Sequence, residues 1–235
     1  MRKFLLLMAC FGWIVSANVA AEEFGEFESE FAPQVVVYDP LEGYNRFMTS
    51  FNDVVYTYAL IPISKGYAHV VPTPVRQGVG NVFDNTLFPA RFINNLLQGK
   101  LGYSMEELAR FLINSTVGIA GWNDVAGEHL DIPRRNEDLG QTLGHYGIGS
   151  GFYLVLPILG PSNLRDTIGS FGDNFANPVT YIEPSRTSIG LKVYGNINEL
   201  SFRYKEYEQL KKDVIDIYPI MRDINEAHRN ALIKE

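Results

Sequence analysis

Four histidines, His69, His129, His145 and His228, are the chain's ready proton-transfer and metal-binding groups, and they are scattered. None has a second histidine at the i+4 spacing with which a His-Glu-x-x-His helix brings two imidazoles onto one zinc. Ser150 lies among Gly147, Gly149 and Gly151, but a nucleophile elbow needs glycine two residues to either side of the serine, and position 148 is Ile148. The same stretch falls short of a dinucleotide loop, because its third glycine is missing and no strand-then-helix context is evident, and no Walker lysine follows a glycine loop either. His145 would need a partner acid or nucleophile. Glu137 and Asp138 are the candidates, although a helix would use them equally well as first-turn charges. Lys192 is either a solvated surface charge or a lysine facing a phosphate. These residues imply no metal and no cofactor.

The elements that would position any chemistry come from an ordinary globular composition: 235 residues, 46% hydrophobic and 20% charged, with a net charge of -7. An acidic total disfavours nucleic acid and anionic lipid head groups, which both need a positive field. Arg2 and Lys3 precede an apolar run from Phe4 to Val15, and small residues follow through Ala20 and Ala21. This is the pattern of an export signal, too short to span a bilayer, with cleavage expected after Ala21. Leu7-Met8-Ala9-Cys10 offers an alternative, lipoprotein-type cleavage, but leaves only Phe4 to Ala9 as its apolar run. Cys10 is the one cysteine, so no intrachain disulfide can form. An acidic leader, residues 22–38, then precedes one domain, residues 39–235.

Asp39-Pro40 can start a helix in which Leu41, Tyr44, Phe47, Met48, Phe51, Val54, Val55 and Tyr58 recur at three- and four-residue steps. Similar patterning spans 75–97, with Pro89 expected to divide it, and Ser104 with Glu107 reads as a capping box for the next helix. At 117–127 the helical spacing stops and turn residues suggest a hairpin-like loop. Residues 152–159 are the longest apolar run after the signal. A short helix is expected at 163–169 and a long one at 200–218, with Pro219 bending the chain into a final segment. The fold class is mainly α. Whether the apolar faces meet in a core or lie against lipid is not decided by composition, and the first helix carries only Arg46 beside Glu42 and Asp53, a poor match to cationic interfacial helices.

Asp39-Pro40-Leu41-Glu42-Gly43-Tyr44-Asn45-Arg46, Asp124-Val125-Ala126-Gly127 and Glu137-Asp138-Leu139-Gly140-Gln141-Thr142-Leu143-Gly144-His145-Tyr146-Gly147 resemble motifs of the MlaA (VacJ) family. So does Tyr153-Leu154-Val155-Leu156-Pro157-Ile158-Leu159-Gly160-Pro161-Ser162 with Leu164-Arg165-Asp166, in family order. The resemblance implies a ring-like arrangement of amphipathic helices embedded in the periplasmic leaflet of the outer membrane. It implies an amphipathic channel that takes mislocalised phospholipid from the outer leaflet to a periplasmic MlaC-like carrier, a trimeric porin holding the ring, and no enzymatic activity.

By the same resemblance Val117, Gly118, Ile119, Ala120, Gly121, Trp122, Asn123 and Asp124 form the loop that influences channel opening, with glycines that permit movement. Phe51 and Asn52 lie on the first helix, whose packing holds the resting state, and Lys192 falls near a cationic pore position. Two departures stand out: family proteins typically carry an acylated N-terminal cysteine, and Asp216-Ile217-Tyr218-Pro219 stands where Asp-Pro-Tyr is usual. The rival readings are a soluble periplasmic lipid-binding or scaffold protein, and a hydrolase using His145 with Ser150 or Asp138.

Overall fold

The computed structural model describes residues 37–234. The expected signal and the leader up to residue 36 lie outside the described residues. Helix α1 (Glu42–Val55) follows Asp39-Pro40, widens into a π turn (Tyr56–Leu60) and continues as α2 (Ile61–Val70). Pro62 lacks the N–H that would carry the ladder through this point, and the wide turn lies just before it. Then come α3 (Thr73–Thr86) and α4 (Phe88–Leu97). The chain divides at Leu87, so Pro89 sits in the first turn of α4, where its missing donor costs nothing.

Helix α5 (Leu101–Thr116) begins three residues before the expected capping box. Ser104 and Glu107 are buried inside it. The Ser104 hydroxyl donates to the Phe92 carbonyl at 3.3 Å, and Glu107 accepts from Arg91 and from the Arg135 amide. Partners on neighbouring segments have claimed both groups, so neither is a cap. The short helices α6 (Val125–Leu130) and α7 (Leu139–His145) start on Asp124 and Asp138, whose carboxylates accept the Gly127 and Gln141 amides.

Antiparallel β1 (Tyr153–Leu156) and β2 (Gly160–Asn163) pair Tyr153 with Asn163 and Leu156 with Gly160. The apolar run at 152–159 is thus a strand and a hairpin tip. Helix α8 (Leu164–Ala176) is capped by Asn163 and runs seven residues beyond the expected Gly169. After a 3-10 turn (Pro178–Tyr181), α9 spans Ser185–Asp213. It starts fifteen residues before the expected helix and ends before Pro219. The bend therefore falls at 214–216, and Pro219 lies in the first turn of α10 (Ile217–Lys234).

Contacts close into a circuit: α1 meets α2 through the π turn, α2 meets α9, α9 meets α3, then α4, α7, α10 and back to α1. Burial around this circuit is inverted. Among the described residues seven apolar side chains are buried against twenty-one polar or charged ones. On α5 the buried stripe is Ser104, Glu107, Arg110 and Asn114, while Leu101, Met105 and Leu112 face out. On α1 Asn45 and Asn52 are buried while Tyr44, Phe47, Phe51 and Val54 are exposed. Helix α8 turns Ile168, Phe171 and Phe175 outward, the last two 68% and 73% exposed. Buried polar groups and contiguous exposed apolar ones are the informative departures from a water-soluble pattern. No described helix is long and apolar enough to cross a membrane.

Candidate functional site

The interior polarity is organised by paired charges. Arg91 donates to Glu107 at 2.6 Å and also reaches Asp84 at 3.3 Å, and one Arg110 nitrogen, Nη2, donates to both oxygens of Asp124 at 2.8 and 2.7 Å. Asn114 supports the second pair, donating to Asp124 and accepting the Ala126 amide. Burial works against the Asp124 carboxylate, but Arg110, Asn114 and the Gly127 amide outweigh it and hold the group below its ordinary range. At Asp84 burial wins and pushes the carboxyl up, with Arg91 and Arg134 pulling the other way.

A cavity of about 720 Å³ lies between α3 and α9, closed further by the 3-10 turn and by Leu159 from the hairpin tip. Its wall is two-faced: Phe83, Leu87, Val179 and Phe202 alternate with Arg76, Asp84, Arg134, Lys192 and Glu199. Arg76 is fixed, donating to Ser201 Oγ at 2.8 Å and to the Ser201 carbonyl at 3.0 Å. Among the described residues Lys192 is matched by no carboxylate; its ammonium donates to Asn174 Oδ1 at 2.6 Å and Thr180 Oγ1 at 2.9 Å. Leu159 also borders a small apolar cavity of about 110 Å³ beside Tyr56 and Met221. At the far side Arg134 also borders a polar cavity of about 510 Å³ with Asp131 and Asn136. The three spaces grade from apolar to mixed to polar, which suits a molecule with a charged head and apolar chains.

Asn52 controls the hairpin. Its side-chain amide donates to the Leu156 carbonyl at 2.8 Å and accepts the Ile158 amide at 2.6 Å. One helical step of seven residues earlier, Asn45 does the same for Tyr153 and Val155, at 3.0 and 2.8 Å. Two side chains thus satisfy a strand edge as a neighbouring strand would. Phe51, beside them, faces outward.

Residues 117–124 reverse the chain by turn bonds without strand pairing. Gly121 donates to the Asn114 carbonyl at 2.7 Å and Asn123 to Gly118 at 2.9 Å, with Val117 and Ile119 exposed. Ile119, Ala120 and Gly121 have positive φ. Gly118 is required for packing, since a Cβ there would overlap the Asn123 and Asn114 carbonyls. Trp122 lies against Gly78 of α3, and its carbonyl accepts from Asn81 at 3.1 Å. The loop is therefore docked on the helix that forms one cavity wall. Its glycines serve close approach and a left-handed turn.

Lys192, which the family resemblance puts near a cationic pore position, lines the mixed cavity; Arg76, Asp84, Arg134 and Leu159 line it too and were not singled out from the sequence, because their meeting depends on segments far apart in the chain. The asparagines at 45 and 52, one apolar-helix repeat apart on the polar side, were the available signal for the clamp. His145 is exposed, and among the described residues no hydrogen bond joins it to Glu137, Asp138 or Ser150. Asp138 is committed to Arg229, at 2.6 and 2.8 Å, and to the Gln141 amide. No cluster of three His, Asp or Glu that could cage a metal occurs among the described residues.

The family model described as MlaA lipoprotein matches residues 37–232. An uncharacterised protein of Rickettsia conorii is 35% identical over 201 residues, 85% of this chain and 80% of that protein. The intermembrane phospholipid transport system lipoprotein MlaA of Escherichia coli K12 is 41% identical over 140 residues, 58% of this chain and 56% of that protein. A chain solved in work on the structural basis for maintenance of bacterial outer membrane lipid asymmetry superposes with a TM-score of 0.74 and 32% identity, covering 83% of this chain and 98% of that one.

Proposed function

The chain belongs to the MlaA lipoprotein family, and from that premise we propose how its interior serves intermembrane phospholipid transport. Mislocalised phospholipid leaves the outer leaflet of the outer membrane through the two-faced cavity, which maintains lipid asymmetry. The observation that carries this is the inverted burial around that cavity: polar groups inside, Phe and Ile outside. A head group dragged through hydrocarbon loses hydration worth several kcal/mol or more, so polar walls lower its barrier. The acyl chains need no such wall. They stay against apolar side chains or in lipid while the head group passes. No bond is made or broken, and direction is supplied by whatever removes the lipid on the periplasmic side.

Lys192, with neutral oxygens as its partners, is a cation in the wall suited to a phosphodiester. Residues 117–124 gate the passage through their docking on α3, and Phe51 with Asn52 holds the resting position through the hairpin. The ring lies in the periplasmic leaflet by its apolar exterior. It is held by a trimeric porin and delivers lipid to an MlaC-like carrier, as the family resemblance implies. A lipid anchor, if Cys10 supplies one, adds to that attachment.

The test is a bridge between cysteines placed at Asn81 and Asn123, which ties the loop to α3. The cross-linked protein should keep its fold but let phospholipid accumulate in the outer leaflet, and reduction of the bridge should reverse this. Unchanged outer-leaflet phospholipid in the bridged protein refutes the gate.

A further inference from the structure

Arg134 borders both the mixed cavity and the polar cavity, and the remaining walls of the two spaces differ. Its guanidinium lies 2.8 Å from Asp84, and its side chain is 35% exposed. The backbone to either side is fastened. Arg110 donates to the Ile132 carbonyl, the Arg135 amide donates to Glu107 at 2.6 Å, and Asn95 donates to the Arg135 carbonyl at 3.3 Å. Arg135 itself is spent on Glu106 at 2.6 Å and on the face of Tyr103 at 3.9 Å. A fixed backbone therefore presents one long cationic side chain at the junction, free to swing about its own bonds.

Its partner can spare it. Asp84 is also held by Arg91 on its other oxygen at 3.3 Å, so departure of Arg134 does not strand a half-buried carboxylate. We propose that Arg134 is a phosphate-reading residue of the passage: it exchanges Asp84 for the phosphodiester of a glycerophospholipid arriving in the mixed cavity and carries that group over into the polar one. This rests on the transport reading and adds to it an exit route, toward Asp131 and Asn136, and the residue that selects for phosphate. A planar guanidinium suits the step because it can fork onto two phosphate oxygens, whereas toward Asp84 it offers one nitrogen to one oxygen.

The experiment uses the full chain in nanodiscs of phosphatidylethanolamine and phosphatidylglycerol, with a photoreactive benzoylphenylalanine at Gln77 in the mixed cavity or at Asn136 in the polar one. In the otherwise unaltered protein phospholipid is captured at both positions. With Arg134→Ala or Arg134→Gln capture at Asn136 falls about tenfold, the loss expected for one charge-assisted hydrogen bond. Capture at Gln77 stays, which also shows that the variants fold, and Arg134→Lys restores part of the loss at Asn136. Undiminished capture at Asn136 in the Ala and Gln variants overturns the proposal, as does an equal fall at both positions or a wild-type signal confined to Gln77. Absence of capture at both positions in the wild type refutes the transport reading itself, and this inference with it. Excess inorganic phosphate separates the two sources of the ligand: if it abolishes capture at Asn136, Arg134 serves a soluble anion and the lipid assignment falls.

Discussion

At the scale of single residues the interior is a set of groups that cannot lose a partner cheaply. Replacing Asn52 by Ala leaves the Leu156 carbonyl and the Ile158 amide without their side-chain partners, at about 1–3 kcal/mol for each group that stays buried. Asn52→Ala should lower the unfolding free energy accordingly and speed hydrogen exchange at the Ile158 amide more than at α5 amides; equal exchange at Ile158 would show that the clamp does not hold the hairpin. Asp124 poses the charged version. Arg110 is only 4% exposed, and Asp124→Asn leaves it without its counter-charge, which costs about 3–5 kcal/mol in buried pairs. The Asp124 carboxyl is held below its ordinary range, so its stabilisation is complete above the unfolded-state pKa and is lost as pH falls through the folded one. Acid titration of the wild type should therefore show a loss of stability below the ordinary carboxylate range, and Asp124→Asn should flatten that part of the curve while starting from a lower plateau.

At the scale of elements, the contact between α3 and the 117–124 loop is set by one missing side chain. A Cβ at Gly78 would overlap the Trp122 ring, whose whole indole must then move, since the atoms in the way belong to a rigid ring. Gly78→Ala should shift and broaden Trp122 fluorescence and change loop-dependent transport, while circular dichroism of the helices stays as it was; an unchanged emission spectrum would show that the ring is not seated there. How far such elements were legible depends on where their information lies. The spacing of Leu41 to Tyr58 and the break near Pro89 are local signals, and both produced the expected helices. Ser104 and Glu107 carried a local signal too, but Phe92, Arg91 and Arg135 claimed them, and no pattern within α5 records those partners. The start of α9 was hidden for a related reason. Its first half carries Gly190, Gly195 and several polar residues that face the cavity and α2, so no apolar stripe advertises a helix. The strands were hidden in an apolar run because the partners of β1 include two asparagine side chains on α1, a pairing that strand periodicity does not encode.

For the whole molecule, the question left open by composition was the direction of the apolar faces, and the direction follows from an accounting of polar groups. Turning α5 over would bury Leu101, Met105 and Leu112 but would put Arg110 and Glu107 outside and dissolve the Arg91, Asp124 and Arg135 contacts. With the polar faces joined inside, each outward phenylalanine exposes area worth about 2 kcal/mol in water, and several together make an exterior that water disfavours and lipid does not. On α1 the same accounting turns Asn45 and Asn52 inward to Tyr153, Val155 and Leu156. A lysine at Phe171 or Phe175 should then leave the interior networks and the helical content unchanged but weaken membrane retention by about 2–3 kcal/mol where the site lies deep in the leaflet. A lysine at exposed Gln209 should have little effect. Fractionation with and without detergent reads the difference. If the wild type itself stays soluble without detergent, the outward phenylalanines are covered by protein, and the soluble scaffold reading takes the place of the embedded ring.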